Sequence, residues 1–145
     1  MRYPMLLLAA LVAIAGCGDS EESVPVACLE GPALYFGNGR SDVRISDCLT
    51  ENQSGGELAE VGAAMLAAAT RLNAEARADP GGGANLQLGY LLGAAQLGAS
   101  RTEGIHAELV RRLAAAVRYS PDNQPPPPSF TQAYRRGYDA GLERG

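Results

Sequence analysis

Apolar and polar positions along the chain change their period several times, and each change marks a structural unit. An uninterrupted apolar run, Met5 to Ile14, stands near the start behind the single charge of Arg2. It is too short to cross a bilayer as a helix, which takes roughly 20 apolar residues. Gly18 to Ser23 is polar, acidic and without period, as expected of a flexible spacer. From Leu58 the pattern becomes helical. Leu58, Val61, Met65, Ala68 and Leu72 recur at alternating steps of three and four, which draws one apolar seam. Ser54 and Glu57 precede the seam at capping-box spacing, and Pro80 with glycines 81–83 ends it.

The next stretch, Ala84 to Ser100, has no charge and no solvent face: Leu86, Leu88, Tyr90, Leu91, Leu92 and Leu97 surround the helix axis. Such a helix belongs at the centre of a bundle. A third helix is expected from near Thr102, with Ile105, Leu109, Leu113, Ala116 and Val117 as its apolar stripe and Glu108 in reach of Arg111 and Arg112. Pro125 to Pro128 reads as a stiff spacer. Ser129 to Gln132 has the spacing of a second capping box, opening a last helix with Phe130, Tyr134, Tyr138 and Leu142 at four-residue intervals. The pattern predicts a mainly α fold, a single domain over residues 28–145 built as a bundle of about four helices. Between Cys28 and Cys48 two readings stay open. Asn38-Gly39 with Ala33–Phe36 and Val43–Ile45 on either side suits a hairpin, while Pro32 suits the first turn of a short helix through Phe36.

One small-residue rhythm occurs twice, as Gly89-Tyr90-x-x-Gly93 and Gly137-Tyr138-x-x-Gly141. Glycines four apart leave a groove along a helix that lets another backbone approach closely. In a charged helix such as 129–145 this marks tight packing, and each interior glycine loses up to about 1 kcal/mol of helix propensity relative to alanine that packing must offset. The repeat is also compatible with an internal duplication. The aromatic and glycine positions Phe130, Tyr134, Gly137, Tyr138 and Gly141 form the candidate face for a protein partner.

The apolar run ends in Ile14-Ala15-Gly16-Cys17. A positive n-region, a short apolar h-region and small residues before a cleavage site are the parts of an export signal. With the cysteine placed right at the end of the run, the segment resembles the lipobox of a bacterial lipoprotein signal peptide. The resemblance implies that residues 1–16 are removed, that Cys17 is acylated and becomes the N-terminus, and that residues 17–27 are a lipidated acidic spacer. The body would then lie on the extracytoplasmic side of the cell membrane or the outer membrane, with the lipid bilayer as its first partner. In Cys28, Ile45-Ser46-Asp47-Cys48-Leu49 and Asn52-Gln53, followed by an alanine-rich helix, the body also resembles small envelope proteins of high-GC bacteria, a group that implies no activity.

In that compartment disulfides persist, and once Cys17 is set aside two cysteines remain. A structural bridge between Cys28 and Cys48 is the expected use. The spacing is far from Cys-x-x-Cys, and two thiols fall short of a four-ligand zinc site.

Charge and chemistry narrow function by exclusion. The chain carries −4, with all 12 basic residues arginine, and loss of Arg2 moves this to about −5. An acidic chain without a basic stripe is not built for nucleic acid. His106 is the only histidine, so no histidine pair exists for a metal. A lone helical histidine is expected to serve surface or packing rather than catalysis. No serine stands in a nucleophile elbow, and the carboxylates lie on solvated faces with nothing to raise their pKa. No cofactor, metal or catalytic residue is expected. The expectation is a non-enzymatic envelope lipoprotein that contacts an envelope protein, with a small-ligand carrier around Tyr90 as the alternative. Arg111, Arg112 and Arg118, or Arg135 and Arg136, could meet an anionic partner but read first as solvated helix charge.

Overall fold

Ser54 starts the first helix because its hydroxyl and Glu57 satisfy each other's neighbouring backbone donors. Glu57 N–H donates to Ser54 Oγ at 3.3 Å, and Ser54 N–H donates to Glu57 Oε2 at 2.9 Å. In the computed structural model, which describes residues 24–29, 43–118 and 124–145, this helix is α1, Gly55–Ala78. It is followed by α2 (Ala84–Ala99), α3 (Ala107–Ala116) and α4 (Pro128–Arg144). Two short 3-10 turns, Val26–Cys28 and Ile45–Cys48, precede them, and no strand occurs among the described residues. The fold is a small helical bundle with a disulfide-closed N-terminal segment: Cys28 and Cys48 are bonded with their Cα atoms 5.6 Å apart. The lipobox, the start of the spacer, the Asn38-Gly39 turn and the alternative Pro32–Phe36 helix lie outside the described residues.

Four of the five seam positions read from α1, Val61, Met65, Ala68 and Leu72, are fully inside; Leu58 in the first turn is only half-buried, and Ala76 extends the buried face. Helix α2 is the centre its uncharged sequence calls for, touching α1, α3, α4 and the Ile45–Cys48 turn. The small residues of α1 let neighbours come near, as where Leu109 of α3 lies against Gly62. Asn73 of α1 donates to the carbonyls of Ala116 and Arg118 at 2.6 and 3.1 Å, satisfying orphan acceptors at the end of α3.

Contacts fix the helix directions. Gly62 meets Leu109 and Asn73 meets Ala116, so α1 and α3 run parallel. Gly98, near the end of α2, meets Ser46 and Leu49 just ahead of α1, so α2 runs the other way. Gly93 meets Tyr138 and Leu142 while Gly89 meets Tyr134 and Tyr138, which places α4 parallel to α2. The start of α1, the end of α2, the start of α3 and the end of α4 therefore gather at one pole. Ser46 N–H donates to Gly145 O at 2.6 Å across it. Val24, expected in the spacer, is buried at this pole, and its N–H donates to Glu57 Oε1.

Two expected boundaries are corrected. The third helix starts at Ala107 and not near Thr102, because Glu103 and Gly104 take left-handed backbone angles (φ 46° and 92°) that no helix accepts. Ile105 consequently leaves the apolar stripe and is 45% exposed. The Ser129 capping box does not form either. Helix α4 opens one residue earlier with Pro128 at its first position and no side-chain cap, since the proline ring presets the helical φ and has no N–H to satisfy. Glu108 does pair with an arginine as expected, in a two-pronged contact to Arg111 at 2.7 and 2.8 Å.

Candidate functional site

The five residues singled out on the last helix share one side of α4: Gly137, Gly141 and the backbone of Tyr134 and Tyr138 pack against α2, while Phe130 lies beside Ala114 and Val117 at the end of α3. Gly137 and Gly141 are buried. A Cβ on Gly137 would overlap Leu86 O and stand 2.9 Å from Tyr90 N, and one on Gly141 would overlap Tyr90 O and stand 2.7 Å from Ala94 N. The relation is mutual: Gly89 lies against Tyr134 O and Tyr138 N, and Gly93 against Tyr138 O and Leu142 N. The two Gly-Tyr-x-x-Gly motifs are thus each other's groove, pairing across a local pseudo-two-fold axis. At the same level Tyr138 Oη–H donates to Gln96 Oε1 of α2 at 2.5 Å. The backbone of Tyr90, the alternative ligand position, lies against Gly137 and Gly141 of α4, and its side chain is half-buried.

Farther along α4, toward the pole opposite Val24, Phe130 and Tyr134 stack with ring centroids 6.0 Å apart. Phe130 is buried, and burial together with the neighbouring Tyr138 pushes the Tyr134 phenol up to about 12. Tyr134 thus stays neutral across the physiological range. These rings, with Ala114, Val117 and Pro126, line a cleft of about 270 Å³ between α3 and α4. Around the edge, Pro126, Pro128, Thr131, Arg135, Arg136 and Asp139 shape a broad open depression. Arg135 and Arg136 are exposed, and neither makes an ion pair among the described residues. This flank offers apolar rings, extended proline and two unpaired guanidinium groups, the chemistry of a contact surface.

His106, expected to serve surface or packing, is a packing residue, buried at the position preceding α3. Its Nε2 lies 2.5 Å from Gln53 Oε1 and its Nδ1 2.8 Å from Thr102 Oγ1. Gln53 Nε2 donates to Cys48 O at 3.1 Å, so Gln53 Oε1 must accept and His106 Nε2 must carry a proton. The Thr102 hydroxyl has a single proton and lies 2.9 Å from Ala99 O as well as 2.8 Å from Nδ1, so the carbonyl and the ring nitrogen share one donor. Desolvation favours the neutral form of the ring and holds its pKa below the ordinary value. The imidazole ties the disulfide segment to the turn between α2 and α3, and both ring nitrogens are used up in doing so. Its sequence neighbours held no sign of this, because the decisive partner, Gln53, is distant in the chain.

No group of three or more His, Cys, Asp or Glu side chains that could hold a metal occurs among the described residues. No helix among them is long and apolar enough to cross a membrane. Compared with protein-family models, curated proteins and solved structures, the chain matches none.

Proposed function

We propose that the protein is a lipid-anchored, non-enzymatic lipoprotein of the bacterial cell envelope, holding a helical body on the extracytoplasmic side of a membrane for contact with another envelope component. One observation carries this reading: Cys17 closes the apolar run at lipobox spacing, and the next two cysteines are joined to each other. Disulfides persist in the oxidising compartments to which an acylated cysteine delivers its protein, so the bridge and the anchor agree on the side of the membrane. The exposed flank of α4 with Pro126, Arg135 and Arg136 supports the contact role. The inward-facing glycines move the partner surface from the Gly/Tyr side of α4 to this outer side.

Cross-linking in intact cells, followed by affinity capture and mass spectrometry, tests both parts. The expected result is an acylated Cys17 N-terminus and a discrete protein partner that is lost in Cys17→Ser. A captured protein that retains residues 1–16 without acyl groups refutes the anchor. Self-links alone refute the partner. A second reading, carriage of a small ligand, is favoured by the cleft between α3 and α4, although its 270 Å³ falls below the roughly 300–1,000 Å³ of most ligand sites. A melting temperature that rises with a small-molecule fraction from the host would favour this second reading.

A further inference from the structure

Five large apolar side chains remain exposed among the described residues, and four of them lie at one pole of the bundle. Val26 (67% exposed) and Leu29 flank Cys28, Ile105 sits on the turn between α2 and α3, and Leu142 is in the last turn of α4. Only Leu86, near the start of α2, lies toward the other pole. Short contacts connect the four. Cys28 is bonded to Cys48, Cys48 O accepts from Gln53, Gln53 accepts from His106, and His106 follows Ile105. Ser46 joins the same pole to the end of α4 through Gly145 O. Apolar side chains scattered singly over a surface need no explanation, but their gathering at one end does.

This is also the pole at which the chain from Cys17 enters, since Val24 is buried there against Glu57. The stretch from Cys17 to Val24 reaches at most about 25 Å even when fully extended. The geometry points to a lipid bilayer as the surface that covers this pole: the acylated protein rests on its membrane end-on, with Val26, Leu29 and Ile105 in the interfacial layer and the α3–α4 cleft facing away. The inference rests on the acylation of Cys17 proposed above. Around the pole, the exposed cations Arg44, Arg101 and Arg144 stand among the exposed carboxylates Asp47, Glu51, Glu103 and Glu143. These sum to −1, and Glu57 at the same pole with Asp19, Glu21 and Glu22 of the tether adds further negative charge, so apolar burial and the short tether, rather than attraction to anionic headgroups, hold the pole down. Docking should therefore be no stronger on anionic than on neutral vesicles.

The chain contains no tryptophan, so a single introduced one reports its own surroundings. The full acylated protein carrying Ile105→Trp, Val26→Trp or, at the far flank, Gln132→Trp is reconstituted into phosphatidylcholine vesicles with brominated acyl chains. Acylation of Cys17 is read by mass spectrometry on the same samples. The expected result is roughly two-fold bromolipid quenching at positions 26 and 105, whose burial of several ångströms into the interface brings them near the bromines. Position 132 should be quenched by aqueous acrylamide instead. Two independent pole reporters guard against one substitution disturbing the turn. An acylated protein in which positions 105 and 26 are quenched by acrylamide as readily as 132 overturns the docking and leaves the anchor standing. Lack of acyl mass on Cys17 overturns both. Shielding of position 105 in native membranes but not in pure lipid vesicles also overturns the inference, and assigns the pole to a protein.

Discussion

Replacing Gly137 by alanine places one methyl group where α2 and α4 touch, and its effect follows from two opposed terms. Alanine favours the helix over glycine by up to about 1 kcal/mol. Against this, the new Cβ overlaps Leu86 O and lies 2.9 Å from Tyr90 N, where ordinary contacts begin near 3.5 Å. The obstructing atoms are backbone, so no rotamer relieves the clash and the helices must part by on the order of 1 Å. A gap of that size forfeits about a quarter to a half of each dispersion contact along the seam, and overpacking of this kind costs roughly 1–3 kcal/mol. The steric term wins, leaving a net loss of about 1–2 kcal/mol, or roughly 4–10 °C in melting temperature for a domain of this size. Thermal unfolding followed by circular dichroism at 222 nm measures it. Gly55→Ala is the matched control, because its Cβ meets nothing within 4 Å; it should leave the melting temperature unchanged or slightly raised. Adding Gly89→Ala to Gly137→Ala should cost less than Gly89→Ala alone, since the first substitution has already separated the helices. If Gly137→Ala melts with or above the parent, the two backbones are not in contact and the seam as described is wrong.

Four further outcomes are expected. Changing both Cys28 and Cys48 to serine releases a closure spanning 20 residues in sequence, worth about 3 kcal/mol in the chain-entropy model, so unfolding in urea should move to a clearly lower midpoint. Because the folded pKa of His106 is lowered, the unfolded chain binds its proton first as pH falls below the ordinary value of 6.5. This part of the stability is present above that value and is lost as pH drops through the folded pKa. His106→Gln should remove that slope, and denaturant midpoints between pH 7.5 and 5 decide it. Gln53→Leu should cost about 1–3 kcal/mol by stranding the buried Nε2–H of His106. At the alkaline end, Tyr134 with its phenol raised to about 12 should ionise last in a spectrophotometric titration at 295 nm, its stabilising effect fading as pH rises from 10 through 12; Tyr134→Phe should remove that last step.

What was legible in the chain were the features set by near neighbours. The α1 seam, its Ser54–Glu57 cap and the uncharged character of α2 each lie within a few residues, and each appears as read. Tertiary partners were less accessible. The glycine rhythm announced a groove without saying which helix fills it, and the side of α4 expected to meet a partner meets α2 instead. His106 is buried through Gln53, a residue 53 positions away, and no local pattern encodes such a pair. Two signals did lie in the open. Gly104, three residues ahead of the third helix, marks a break rather than a continuation, and Pro128 outranks Ser129 as a helix start because its φ is already set.

The recurrence of Gly-Tyr-x-x-Gly invites an explanation by duplication, but the packing accounts for it without one. Gly89 meets Tyr134 and Tyr138; Gly137 meets Leu86 and Tyr90. Gly93 meets Tyr138 and Leu142, while Gly141 meets Tyr90 and Ala94. Each contact is the image of another under exchange of the two helices, so the same constraint, a backbone approaching too closely for any Cβ, acts on matching positions of both. Where their surroundings differ, the residues differ. Leu91 and Leu92 sit inside the bundle, whereas their counterparts Asp139 and Ala140 lie on a helix with a solvent face. Similarity thus tracks the shared neighbour and divergence tracks the unshared one, which is the pattern that packing selects whatever the ancestry of the two helices. It also explains why two parallel helices of an up-down bundle touch at all. Parallel helices are usually the diagonal pair of such a bundle, held apart by their side chains, and four glycines on facing sides remove that obstacle.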